Sequence, residues 1–335
     1  MKVAILSPVA WRTPPRHYGP WELVASNLAE GLVREGIDVT LFATGDSETK
    51  ARLDAVIPVG YEENQHQDAK VSECLHISNL MEKASEFDVI HNHFDFLPLT
   101  YSRLITTPMV TTIHGFSSKL IIPVYKKYND SSHYVSISFA DRSQELRYLA
   151  NVYHGINGQN FTFNDQPSDY LLFLGRIHAD KGTAEAIEIA RKAKRRLLIA
   201  GIIQDNDYYN KKVEPLLNDE IVFIGHADPE RRNQLLRYAF ALIHPIAFNE
   251  PFGLSVAEAM YCGTPVIAFN KGSMPELIAD KQTGFLVGTV DDAVDAIDSI
   301  SSINRLACHK HAASRFSIEK MVRDYIEVYY KILAS

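Results

Sequence analysis

Short apolar runs rich in β-branched residues alternate with longer stretches of helical periodicity, and the alternation occurs in two successive halves of the chain. Lys2–Leu6, Asp38–Phe42, Asp88–His91 and Met109–Ile113 are near-continuous apolar runs. Such runs suit a parallel sheet covered on both faces. Between the first two, Trp21–Glu35 carries Val24, Leu28 and Leu32 at helical spacing, and Tyr134–Ser138 and Asn151–His154 read as further strands. The second half predicts strands at Tyr170–Leu174, Arg196–Ala200, Ile221–Ile224, Ala241–His244, Pro265–Phe269 and Phe285–Val287. Helices fit Thr183–Ala193, Glu230–Phe240, Gly253–Tyr261 and Asp291–Ser301. This is the β-α-β grammar of doubly wound sheets.

With 335 residues the chain is long enough for two such domains, since single cores rarely grow beyond roughly 250–300 residues. The pattern predicts an N-terminal domain over 1–157, a C-terminal domain over 158–316 and a terminal helix over 317–335. His154–Gly158 and the polar Asn164–Asp169 read as the linker. In Ser317–Leu333, Met321, Tyr325, Val328 and Ile332 form one stripe that either packs on its own domain or crosses back to the first.

Composition narrows the function. A net charge of -7 argues against nucleic acid as a partner. Cys74, Cys262 and Cys308 are too scattered for a disulfide framework or a zinc site, which suits a reducing compartment. The apolar start is too short for a signal peptide, and no stretch approaches the roughly 18–20 apolar residues of a membrane span, so a cytoplasmic location is expected. The basic run Arg191–Arg196 sits at a helix C-terminus, where cations are favoured. Peripheral membrane contact is its alternative reading.

Two segments carry chemistry. In Glu250-Pro-Phe-Gly-Leu-Ser-Val-Ala-Glu258, Pro251 precedes a helix whose first amides, at Gly253, Leu254 and Ser255, can receive an anion such as a diphosphate. The bracketing carboxylates can accept hydrogen bonds from sugar and ribose hydroxyls. A helix cap plus a solvated glutamate is the competing reading. In Gly175-Arg176-Ile-His-Ala-Asp-Lys181-Gly182, a tight turn after a buried strand places two cations at the sheet's carboxyl edge, matching a diphosphate and the charge that grows as it leaves. A surface salt bridge is the alternative there. His91, His93 and Asp95 end a strand in the first half. They read as acceptor-binding residues, as plain loop structure, or as metal ligands, but no third histidine or cysteine stands at a telling spacing.

Gly-Arg-x4-Lys-Gly followed by Glu-x7-Glu resembles the retaining nucleotide-sugar glycosyltransferases of family 4. Tyr18-Gly19-Pro20-Trp21-Glu22 is similar to the family's glycine-rich first loop, and Thr112-Ile-His114-Gly115 to its active-site histidine segment. Tyr134–Ser138, Gly263–Val266 and Gly272–Ile278 also fit, so the resemblance spans nearly the whole chain. It implies the GT-B fold, an α/β architecture of two Rossmann-like doubly wound domains facing across a cleft, with the terminal helix crossing back to the N-terminal domain. It further implies that Arg176 and Lys181 bind the donor diphosphate, that Glu258 binds the ribose hydroxyls and that Glu250 lies beside the transferred sugar. Phe252, Gly253, Leu254 and Ser255 would contact sugar and phosphate, Gly175 would shape the phosphate turn, and Gly225 and His226 would hold the base. Gly19 would approach the donor and His114 the sugar near its reacting carbon. Where the family often has a second glycine, this chain has Pro20, without an N–H and with fixed φ; Trp21 is then expected to shape an acceptor pocket instead.

The expected reaction moves a hexose from a nucleoside-diphosphate sugar, UDP favoured over GDP, to a small or soluble carbohydrate or other hydroxyl acceptor. Neither metal nor cofactor is expected. Retaining glycosidases use two carboxylates in double displacement, and the first half offers no clear nucleophile of that kind. A same-face substitution is therefore expected, with Arg176 and Lys181 stabilising the leaving diphosphate. The rivals are a sugar-nucleotide epimerase of the same architecture and a non-catalytic nucleotide-sugar-binding subunit. A nicotinamide dehydrogenase lacks support, because Ser7-Pro-Val-Ala-Trp11 stands where its glycine fingerprint would be.

Overall fold

The computed structural model describes residues 1–64, 66–116 and 118–334. The chain divides into two compact units. The first comprises Met1–Gly155 and the final helix from Ile318, the second Ile156–Ser317.

In the first unit the order is β1 (Lys2–Leu6), α1 (Pro20–Arg34), β2 (Asp38–Phe42), β3 (Arg52–Asp54), α2 (Ala69–Met81), β4 (Val89–Asn92), β5 (Met109–Ile113), α3 (Ile122–Lys127), β6 (His133–Ser136) and β7 (Tyr148–Asn151). These seven strands form one sheet in the order β3-β2-β1-β4-β5-β6-β7, with every neighbouring pair parallel. Side chains alternate across a strand. Thus Val3 and Ile5 face one core with Val24, Leu28 and Leu32 of α1, while Ala4 and Leu6 face another with Ile77 and Leu80 of α2. Burial on both faces explains why the strand sequences are almost wholly apolar.

The second unit runs β8 (Leu171–Leu174), α4 (Thr183–Lys192), β9 (Leu197–Ala200), α5 (Asn206–Tyr208), β10 (Ile221–Gly225), α6 (Pro229–Tyr238), β11 (Ala241–His244), α7 (Leu254–Tyr261), β12 (Val266–Phe269), α8 (Met274–Leu277), β13 (Gly284–Val287), α9 (Val290–Ser299) and α10 (Arg305–Arg315). Its six strands are parallel in the order β10-β9-β8-β11-β12-β13.

The final helix, α11 (Ile318–Leu333), belongs to the first unit. Met321, Tyr325, Val328 and Ile332 are buried with α1, and a Cβ on Gly31 of α1 would strike Val322. Glycine inside a helix costs about 1 kcal/mol relative to alanine, and here it permits the close approach of α1 and α11. A polar anchor fixes the register. Tyr329 Oη lies 2.6 Å from His91 Nδ1, His91 Nε2 lies 2.8 Å from Thr112 Oγ1, and Thr112 Oγ1 lies 2.7 Å from Tyr325 Oη, all of them buried.

Several sequence expectations shift. The last strand of the first sheet is β7 at Tyr148–Asn151, not Asn151–His154. Asn164–Asp169 is no linker, since Asn164 N donates to Cys262 O at 3.0 Å and buried Arg305 donates to Asn164 O at 2.8 Å, tying the segment into the second unit. The sequence reading passed over β3, α2 and α10. α2 carries exposed Val71 and Leu75, which blur its helical stripe.

Replacing Tyr329 by Phe strands a buried ring nitrogen of His91. Tyr329→Phe is expected to lower stability by about 1–3 kcal/mol in urea unfolding, whereas Tyr330→Phe at the exposed neighbouring position should stay within about 0.5 kcal/mol of the parent.

Candidate active site

Open parallel sheets bind ligands beyond the carboxyl ends of their strands, where the strand order reverses. In the second unit that point lies between β8 and β11. The loop after β8 turns at Gly182, with φ of 74°, and a Cβ there would strike Pro245 O in the loop after β11. Only glycine lets the two loops close on each other. Lys181, one residue earlier, forms an ion pair with Glu250 of the second loop. Its Nζ also stands 4.7 Å from the Phe248 ring centroid. A loop around Gly272 clasps the same segment, with Ser273 N donating to Glu250 O at 2.9 Å and Ser273 Oγ to Phe252 O at 2.6 Å.

Gly253 caps α7 in the left-handed conformation, with no side chain bonded to the helix start. The first backbone bond of the turn is Val256 N to Gly253 O at 3.1 Å, which leaves the amides of Leu254 and Ser255 ahead of it at an N-terminus suited to an anion. One turn further, Glu258 is buried and paired with Arg232 of α6. Burial raises its pKa, and the Arg232 cation and hydrogen bond oppose that rise. Arg176, which leaves β8 just past Gly175, reaches Gln204. At the end of β10, the space where a Gly225 side chain would stand is open to 4 Å, and His226 beside it is exposed.

The first unit has its own switch point, between β1 and β4. Gly19 caps α1 and Pro20 occupies its first position, where the missing N–H leaves nothing unsatisfied. Trp21 stacks on His114, with ring centroids 5.4 Å apart and planes inclined by 21°. His114 in turn belongs to a file of buried imidazoles: His93 Nδ1 lies 2.9 Å from His114 Nε2, and His114 Nδ1 lies 3.4 Å from His154 Nε2. Asp95, at φ 75°, accepts from Tyr125 Oη, and burial pushes its pKa up to about 6. Glu22, buried at the α1 start, is pushed up to about 7, first by burial.

Unit 2 therefore brings Lys181 and Glu250 into contact and sets Gly253, Leu254, Ser255 and Glu258 along one helix start. Unit 1 brings Trp21, His93 and His114 together. The acceptor role expected of His91 needs correction, because the ring is fully buried and both its nitrogens are committed to Tyr329 and Thr112. His93 is buried too, bonded through Nδ1 to His114. Among the described residues, no group of three or more His, Cys, Asp or Glu side chains is disposed to hold a metal ion, and no helix is long and apolar enough to cross a membrane. The sequence reading missed His154, His244, Arg232 and Gln204. His154 and His244 each stand beyond or at a strand end, a position that could have flagged them.

The two units define a GT-B protein. Sucrose-phosphate synthase from Thermosynechococcus elongatus superposes with a TM-score of 0.80 at 18% identity, over 100% of this chain and 99% of that one. Anabaena HepE, solved in complex with UDP, superposes with a TM-score of 0.77 at 18% identity, over 99% and 100% of the two chains. The model described as glycosyl transferases group 1 matches residues 159–315, and that of glycosyltransferase family 4 matches residues 22–149. Together the two matches span most of the chain, which is a glycosyltransferase of GT-B type acting on nucleotide sugars. An uncharacterised glycosyltransferase of Methanocaldococcus jannaschii is 26% identical over 86% of this chain and 85% of its own length.

Burial holds the pKa of both His93 and His154 down to about 3, against an ordinary 6.5. Below about pH 6.5 the unfolded chain takes up protons that the folded unit refuses, so stability is full above that pH and is lost as pH falls toward about 3. His154→Gln should reduce the slope of unfolding free energy between about pH 6 and 5 by about 1.4 kcal/mol per pH unit, as measured by urea titration.

Proposed function

We propose that this enzyme moves a hexose from a nucleoside-diphosphate sugar, with UDP favoured over GDP, to a hydroxyl acceptor with retention at the anomeric carbon and without a metal ion. The observation that carries the reading is the Lys181–Glu250 pair beside the uncapped start of α7. A cation and a helix N-terminus together form a place for a diphosphate, and the carboxylate sits next to it for sugar hydroxyls. Anabaena HepE, which shares the fold, binds UDP and UDP-glucose, and this favours uracil as the base.

In this reading the diphosphate lies between Arg176, Lys181 and the amides of Leu254 and Ser255, with the turn at Gly175 beneath it. Glu258 receives the ribose hydroxyls, and Glu250 with Phe252 and Gly253 borders the sugar. The base rests by Gly225 and His226. As the bond to the sugar breaks, the departing diphosphate gains charge that Arg176 and Lys181 neutralise, and one of its oxygens takes the proton of the incoming hydroxyl on the same face. Trp21 and Asp95 serve the acceptor, Gly19 approaches the donor, and His114 meets the sugar near its reacting carbon. The enzyme works in the cytoplasm on a small or soluble acceptor. Epimerase and non-catalytic readings predict, respectively, a free altered sugar and binding without turnover.

Product analysis by proton NMR tests this reading. Transfer from UDP-glucose or its epimers should give an anomeric coupling that matches the donor's. Arg176→Ala and Lys181→Ala should each lower kcat by about 10²–10³, the worth of one charged group at a developing anion. Inverted product, or near-parental rates in both variants, would overturn it.

A further inference from the structure

His244 is the last residue of β11, at the root of the loop that carries Glu250. Its side chain is 95% buried, with 5% exposed, and its Nε2 has no hydrogen-bond partner. Buried ring nitrogens without partners are rare in folded proteins and call for a physical reason. Nε2 stands 3.9 Å from Glu250 Oε2, the same oxygen that Lys181 holds. That gap is too long for a hydrogen bond, and a small rotation of the glutamate side chain closes it.

The difficulty lies in Lys181. Its ammonium is committed to Glu250, yet the diphosphate of a donor requires the same cation. If Lys181 turns to the phosphates, Glu250, whose side chain is only 12% exposed, is left as a half-abandoned carboxylate in a poorly solvated loop. An uncompensated buried charge is costly, and a glutamate free to swing would no longer be fixed beside the sugar. His244 is the buried group already within reach of the abandoned oxygen.

We propose that His244 is a positioning residue, which takes over Glu250 through an Nε2–H to Oε2 hydrogen bond when the donor diphosphate draws Lys181 away. The inference rests on the reading of unit 2 as the donor site. Burial, and after it the Lys181 cation, hold the imidazole neutral, with its pKa down to about 3. The proposed donor is the Nε2–H tautomer of this neutral ring, so the exchange moves no proton to or from solvent. Lys181 passes whole to the diphosphate, and Glu250 keeps its charge and its place.

Lys181→Met mimics the departure of the cation without any nucleotide, so the exchange can be observed separately from function. The full chain labelled with ¹⁵N-histidine gives ring signals, with that of His244 assigned by its loss in His244→Gln. In Lys181→Met without ligand, and in wild type with saturating UDP, the His244 Nε2–H proton should move downfield as its hydrogen bond forms. The move should vanish in Lys181→Met/Glu250→Leu, which leaves no acceptor at that position. His244 signals identical in wild type and Lys181→Met would overturn the proposal, whatever UDP does. A move in Lys181→Met with none on adding UDP, GDP or ADP would support the His244–Glu250 contact and overturn the nucleotide reading instead. In transfer assays, His244→Gln, which retains an N–H donor, should keep kcat near the parent. His244→Leu should lower kcat by about tenfold, the worth of one hydrogen bond, with little change in KM. Equal kcat losses in the two variants would argue for a packing role and against the proposal.

Discussion

The ion pair between Lys181 and Glu250 joins the loops that leave β8 and β11, the two strands flanking the reversal in the second sheet. Everything nearby serves that junction. Gly182 removes a side chain where the loops meet, and Ser273 anchors the backbone on both sides of Pro251. α7 then begins with bare amides, three residues past Pro251. The cation and carboxylate satisfy each other; in the proposed reading a diphosphate replaces the carboxylate as the partner of Lys181. Glu258 repeats the device more deeply, with Arg232 compensating a carboxylate that burial alone would leave protonated more readily.

In the first unit the polar groups are arranged differently. Its sheet ends in aromatic and imidazole rings rather than in ion pairs: Trp21 on His114, His114 between His93 and His154, and His91 locked to Tyr329 and Thr112. Neutral rings packed this way present donors and acceptors without net charge, which suits recognition of a sugar or other neutral hydroxyl compound more than an anion. Glu22 at the start of α1 adds to this, since a carboxyl already occupies the end of the helix that would attract an anionic group.

Much of the fold was legible because burial on both faces leaves a strong signal. β1, β2, β5 and β11 fall on the residues their apolar runs predict. β3 is three residues long and α2 exposes two large aliphatics, so neither shows a clean period. The contact between Lys181 and Glu250 and the placing of Glu258 on α7 were legible because turn glycines and a helix-start proline surround them. His244 and Arg232 were not, since a histidine closing an apolar strand and an arginine on a polar helix have ordinary structural explanations. His91 was misread for the same reason in reverse: a strand-end histidine suggested a ligand contact, and the tyrosines that claim it lie far along the sequence in α11.

The central claim is that unit 2 binds a nucleoside diphosphate through these groups. Calorimetric titration of the full chain with UDP, GDP and ADP, with and without magnesium, measures it most directly, alongside the variant Glu258→Ala. The account predicts that UDP binds whether or not magnesium is present, and that Glu258→Ala weakens it by about 10–100-fold through loss of hydrogen bonds to a charged group. No heat with any nucleoside diphosphate, or undiminished affinity in Glu258→Ala, would contradict it.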